Sequence, residues 1–150
     1  MPTHFQGPPH QVEALEAYIK LMRAAESVTA RVNEILPAGL TVTQFGVLEV
    51  LFHLGPLCQG QLAAKLLKSA GNLTLVIANL ERAGLIKRAR QPEDLRFITI
   101  SLAPRGRTLI GELFPKVAAR IASEFSVLSA SEKAELGRLS KKLGLANTAQ

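Results

Sequence analysis

The residues of this chain that could do chemistry are cationic, and they are gathered in one block. Between Lys65 and Arg107 stand nine basic residues (Lys65, Lys68, Arg82, Lys87, Arg88, Arg90, Arg96, Arg105, Arg107) against three acidic ones (Glu81, Glu93, Asp94). That block holds the whole formal net charge of +6. The flanking segments balance. A positive field confined to one stretch suits a phosphate-bearing partner, because each neutralised phosphate releases condensed counterions and so drives association without reading any sequence. Catalysis has no comparable foothold. No serine sits in a nucleophile elbow, no glycine-rich loop follows a strand and no paired carboxylates stand out. His4, His10 and His53 have no cysteine or carboxylate beside them at metal-ligand spacing. The expectation is a binding protein, not an enzyme, with no metal and no cofactor.

The elements that must position this block read mainly as helices. Met1 to His10 carries three prolines and a glycine with little to bury, so residues 1–10 are expected to form a flexible tail ahead of a single domain over 11–150. Leu15, Tyr18, Ile19, Met22, Ala25, Val28, Val32 and Ile35 recur at steps of three and four, which predicts a long helix over 11–36, stopped by Pro37 and Gly39. Thr43 is a candidate cap for a second helix with Phe45, Leu48, Leu51 and Phe52 inward, closed by Gly55 and Pro56. A short third helix near Cys58–Leu67 buries Leu62, Ala63 and Leu66. Ser69 caps a fourth, Ala70–Ala83, whose inward residues are Leu73, Val76, Ile77 and Leu80, and Gly84 ends it.

The period then changes from about 3.6 to about 2. Ile98, Ile100 and Leu102 alternate with Thr99 and Ser101, and Ile86–Gln91 can pair with them across Pro92, Glu93, Asp94 and Leu95, which predicts a hairpin. Pro104 suits the first turn of another long helix, with Leu109, Leu113, Val117, Ile121 and Phe125 as its stripe and a kink expected at Pro115. Ser129 and Glu132 form a capping box before a last helix through Leu136, Leu139 and Leu143.

Short helix, turn, second helix and basic hairpin is the layout of a winged helix-turn-helix. Such a unit lays its second helix in the major groove, where base edges present distinct donor and acceptor patterns, while the hairpin reaches along the backbone towards the minor groove. Small and polar outward positions are needed there, and Asn72, Thr74 and Asn79 supply them. Gly71 lets the helix start approach phosphates closely, where free amides and the helix dipole favour anions.

With these residues in view, the chain resembles the MarR family of transcriptional regulators from about Val12 to Leu145. The order Gln61-Leu62-Ala63, Leu66, Ser69, Gly71, Thr74, Leu80-Glu81, Gly84-Leu85-Ile86 and Arg88 follows that family's helix-turn-helix pattern. Asp94-Leu95-Arg96 and the exit from Leu102 to Gly106 look like its wing elements. The resemblance implies a recognition-helix contact set of Ser69, Gly71, Asn72, Thr74, Leu75 and Asn79. It further implies a wing and flanking set of Lys68, Arg88, Arg90, Asp94 and Arg96, with Arg96 entering the minor groove and Asp94 holding its guanidinium. Leu75 departs from the pattern, standing where a polar or basic residue is usual, so it either meets a thymine methyl or leaves part of the groove unread. Ala103 replaces the usual threonine before Pro104. Effectors of the family bind between the dimerisation helices and the DNA-binding lobe, which implies a candidate pocket of Tyr18, Met22, Phe45, Phe52 and His53 for a small aromatic or phenolic effector; plain core is the competing reading of those side chains.

The fold expected is therefore mainly α with a small β-hairpin: a winged helix-turn-helix lobe over 41–103 between dimerisation helices at 11–36 and 104–145. The outer helices carry more apolar surface than one thin lobe can cover, so two copies should pair. The function expected is a ligand-responsive repressor that binds double-stranded DNA at an inverted repeat as a homodimer. Two alternatives stand beside it, a thiol-based redox regulator acting through the lone Cys58 and a winged-helix protein-interaction module without DNA function. No apolar run approaches the ~18 residues of a membrane span and no secretion-signal pattern opens the chain, so a cytoplasmic location is expected.

Overall fold

The structure, a computed structural model, describes residues Thr3–Ala146. In chain order its elements are α1 (Pro9–Asn33), α2 (Val42–Leu54), β1 (Leu57–Cys58), α3 (Gln59–Lys65), α4 (Ala70–Arg82), β2 (Ile86–Arg90), β3 (Ile98–Leu102), α5 (Pro104–Glu124), a 3-10 turn at Phe125–Val127 and α6 (Ala130–Leu145). They fall into two compact units. One is residues 33–117; the other is made by the terminal segments, up to 32 and from 118.

Helix α2 opens at Thr41, not at the expected Thr43. The Thr41 hydroxyl accepts from the Gln44 backbone N–H at 3.1 Å while Gln44 Oε1 accepts from the Thr41 N–H at 2.9 Å, a reciprocal capping box that satisfies two otherwise orphaned donors. Gly55 ends the helix at φ 80°, a conformation any side chain would strain. Val47, Leu48 and Leu51 are buried, and the expected Phe45 and Phe52 pack half-buried against them. Helix α4 supplies Leu73, Ile77 and Leu80, all fully buried, and α3 supplies Leu62 and Ala63. Each large side chain removed from water in this way contributes roughly 1.5–3 kcal/mol before the entropy of ordering is subtracted.

The expected hairpin is present, and a third strand joins it. β2 and β3 pair antiparallel from Ile86↔Leu102 to Arg90↔Ile98, and β1 adds to the other edge of β3 through Leu57↔Ile100 and Cys58↔Thr99. Cys58, expected at the start of the third helix, is both the last residue of β1 and the N-cap of α3. Two residues are too few to show a period of 2, so β1 left no pattern in the sequence. Alternation along β3 turns Ile100 and Leu102 into the core.

In the terminal unit α1 begins at Pro9, so Pro9 and His10, expected in the tail, are helical. A proline at the first helical position gives up only an N–H that would have no intrahelical acceptor, and Pro8 O accepts from Gln11 and Val12 at 3.0 and 3.2 Å. Met1 and Pro2 of that tail, and residues 147–150, lie outside the described residues. α5 continues through Pro115 to Glu124. Ser129 and Glu132 cap α6 reciprocally, as the capping-box spacing predicts. Neither α1 nor α6 has a single buried residue. Leu21, Ala25, Val28, Ile121, Phe125 and Leu136 line an open apolar cleft of about 650 Å³ in this unit. At its rim Glu124 accepts from Arg31 at 2.6 Å and from Arg120 at 3.4 Å.

Candidate nucleic-acid interface

The turn between α3 and α4 is built by backbone geometry. Lys68 N–H returns to Ala63 O at 2.9 Å and Leu67 N–H to Ala64 O at 3.3 Å, a helix-ending motif that needs one residue in the left-handed region. Leu67 occupies it at φ 55°, where glycine is usual, with its side chain 93% exposed. The left-handed backbone costs a leucine about 1–2 kcal/mol, so the turn is held by its neighbours and not by local preference. Ser69 then accepts from Asn72 N–H at 3.3 Å and starts α4.

A second clamp ties the two helices together. Gln59, the first residue of α3, donates from Nε2 to Ala70 O at 2.6 Å and to Thr74 Oγ1 at 3.1 Å. It fixes the first turn of α4 against α3, and no spacing rule singles it out. The clamp also engages the Thr74 hydroxyl within the protein.

On a helix with Leu73, Ile77 and Leu80 inward, the positions directly opposite are Gly71, Leu75, Ala78 and Arg82, spaced by four, three and four. Gly71, Leu75 and Arg82 are exposed. Asn72 and Asn79 flank this stripe on one side and Thr74 on the other. Asn79 Oδ1 accepts from Arg82 Nη1 at 3.1 Å.

The wing is a short, internally braced loop between β2 and β3. Gln91 N–H donates to Phe97 O at 3.0 Å, Phe97 N–H to Asp94 O at 3.1 Å, and Asp94 N–H to Gln91 O at 3.2 Å. At its tip Asp94 receives Arg96 through both carboxylate oxygens: Nε at 2.9 Å and Nη2 at 2.7 Å, with the Arg96 backbone N–H at 3.1 Å. Those hydrogen bonds hold the Asp94 carboxyl below its usual range and raise the guanidinium. The Arg96 side chain nevertheless stays 86% exposed, so it is oriented without being covered.

Arg88 and Arg90, expected with Arg96 in the wing and flanking contact set, each have a partner inside the protein. Arg88 forks onto Glu81 of α4, Nη2 to Oε1 at 2.8 Å and Nε to Oε2 at 3.2 Å, and the pair lowers the Glu81 carboxyl chiefly through that side-chain hydrogen bond. Arg90 Nη1 donates to Leu95 O at 2.7 Å and props the loop that carries Arg96. Lys68 is exposed at the turn.

The expected pocket residues divide between the units. Tyr18 and Met22 lie exposed on α1 in the terminal unit. In the lobe His53 stands edge-on to Phe52 and to Phe114, ring centroids 5.2 and 4.5 Å apart, with Nδ1 2.9 Å from Glu49 O, while Phe45 packs on the core. Phe114 falls between the residues of the α5 stripe, so helical periodicity does not single it out. Cys58 is half-buried, its backbone N–H bonded to Gln61 Oε1 at 3.0 Å. Among the described residues no three His, Cys, Asp or Glu side chains gather as metal ligands, and no helix is long and apolar enough to cross a membrane.

This architecture has known counterparts. Residues 40–98, from the residue before the α2 cap to the start of β3, match the model of the MarR family. The chain is 36% identical over 133 residues to the uncharacterized HTH-type transcriptional regulator YkoM of Bacillus subtilis, covering 88% of this chain and 86% of that one. It is 34% identical over 134 residues to the HTH-type transcriptional regulator MhqR of the same organism, covering 89% and 92%. Among solved structures, Bordetella bronchiseptica BpsR, whose DNA binding is regulated by 6-hydroxynicotinic acid, superposes with a TM-score of 0.77 at 26% identity, over 86% of this chain and 98% of that one.

Proposed function

The chain belongs to the MarR family of DNA-binding transcriptional regulators, and from that premise we propose that it is a ligand-responsive repressor which binds an inverted-repeat operator as a homodimer in the cytoplasm. The observation that carries this reading is the Arg96 guanidinium, fixed in orientation by Asp94 yet open to a partner. A narrow A/T-rich minor groove, with its enhanced negative potential, attracts such a group. In this reading residues 41–103 form the reading lobe, α4 lies in the major groove through Ser69, Gly71, Asn72, Leu75 and Asn79, and Lys68 and Arg90 add positive field, with Arg88 joining them where its fork onto Glu81 opens. Thr74 contributes through the shape of the helix start, since its hydroxyl is already engaged.

The terminal helices support the homodimer. An apolar cleft of about 650 Å³ and two helices without a buried residue leave more hydrocarbon in water than a lone chain keeps. With a two-fold axis, the two α4 helices would enter successive major grooves ~34 Å apart. A small aromatic or phenolic effector would act by favouring dimers whose α4 spacing does not fit DNA. Its effect is bounded by its difference in affinity for the two geometries. The regulated DNA binding of BpsR is the model for that step.

The test is selection from a random duplex library followed by binding at several salt concentrations, with the mass of the free protein measured by sedimentation. An enriched palindrome, a log affinity falling steeply with log salt and a dimeric mass are expected. Equal affinity for selected and random DNA, or a monomer at micromolar concentration, would overturn it.

A further inference from the structure

The outward stripe of α4 contains one large side chain that is neither polar nor charged. Leu75 is 67% exposed, and it lies four residues after Gly71 and three before Ala78, both too small to shelter it. Its polar neighbours do not speak for it. The Thr74 hydroxyl is held by Gln59 Nε2 and faces Ala70 O at 3.5 Å, and Asn79 Oδ1 is held by Arg82, so the centre of the stripe is hydrocarbon between partly engaged flanks.

A leucine in water has no favourable contact to lose and apolar burial to gain. On the floor of the major groove the C5-methyl of thymine is the one alkyl group; cytosine offers only a C5–H in its place, and the donors and acceptors around them are groups that Leu75 would desolvate without replacing their partners. We infer that Leu75 is a specificity-determining residue that selects a thymine at one position of each half-site by packing on its C5-methyl group. This rests on the reading of α4 as the groove helix. It assigns the base identity at that position to a hydrophobic contact and not to a hydrogen bond.

Thymine and deoxyuridine pair identically and differ only in that methyl, which makes the substitution a direct probe. Duplexes enriched from a random library by the wild-type protein are remade with each thymine replaced in turn by deoxyuridine. One position per half-site is expected to lose affinity by about fourfold, the equivalent of burying one methyl group, and more when both half-sites are replaced. In Leu75→Ala the thymine and deoxyuridine duplexes should bind equally, with the melting temperature unchanged because the residue is exposed. If no thymine is sensitive, or if the penalty persists in Leu75→Ala, the assignment of Leu75 is overturned while sequence-specific binding stands. If no duplex is enriched at all, the DNA-reading proposal and this inference fall together.

Discussion

Gly106 lies directly against the carbonyl oxygen of Leu85. A Cβ built on Gly106 would overlap that oxygen and stand 2.9 Å from the carbonyl carbon, and the same oxygen accepts the Ala103 N–H at 3.0 Å. Arg105 Nη1 adds a bond to Ala83 O at 3.0 Å. The start of α5 is thus latched onto the segment between α4 and β2, which sets where the wing leaves the lobe.

Gly106→Ala should therefore destabilise the lobe by about 1–3 kcal/mol, the range for forcing an extra group into a packed site, because backbone and not a flexible side chain must yield. A urea titration followed by circular dichroism measures it. A midpoint unchanged from wild type would show that α5 can slide away from Leu85 freely.

What was legible in the sequence follows from how local the signal is. Ser69 and Ser129 cap helices through bonds within three residues, and Leu73, Ile77 and Leu80 repeat at helical spacing, so α4 and α6 could be placed from the chain alone. The Thr41 cap was equally local. Thr41-x-x-Gln44 is a capping-box pattern, whereas Thr43 has Gly46 three residues on and cannot form one. β1, the Gln59 clamp and the Arg88–Glu81 fork depend on segments brought together by folding, for which no residue spacing is diagnostic. The Asp94–Arg96 pair was legible because it is two residues apart and fits a family element.

The wing pair gives a prediction in two directions. Arg96→Ala should lower affinity for the selected operator about tenfold to a hundredfold and flatten the salt dependence by about one phosphate contact. Asp94→Asn keeps the arginine but removes the carboxylate that orients it, so operator affinity should fall while affinity for random DNA, relieved of one negative charge, does not. Gel retardation of both duplexes with both variants measures the ratio. Parallel losses on the two duplexes would assign Asp94 to folding of the loop instead of to orientation of Arg96.

Glu81 provides the opposite sign. Its carboxylate occupies the Arg88 guanidinium at 2.8 Å, so part of the positive block is neutralised within the protein. Glu81→Gln should release Arg88 to phosphate, raise affinity for random DNA and steepen the salt dependence by roughly 0.9 for one further neutralised phosphate. Stability should change little, since exposed pairs add little. A salt slope identical to wild type would place Arg88 away from the DNA backbone.

Glu124 predicts a pH dependence of the terminal unit. Its carboxyl is lowered chiefly by the hydrogen bond from Arg31, with Arg120 adding to it. A carboxyl whose folded value lies below its unfolded one binds fewer protons in the folded state. Its stabilising contribution is then fully present above the ordinary carboxylate range and is lost as pH falls through the lowered folded value. Wild type should therefore melt at a higher temperature than Glu124→Gln near neutral pH, and the gap should narrow progressively below about pH 4, the ordinary carboxylate range. Thermal melts of both proteins between about pH 3 and pH 7 measure it. A gap independent of pH would mean that the glutamate acts through packing at the cleft rim and not through its charge.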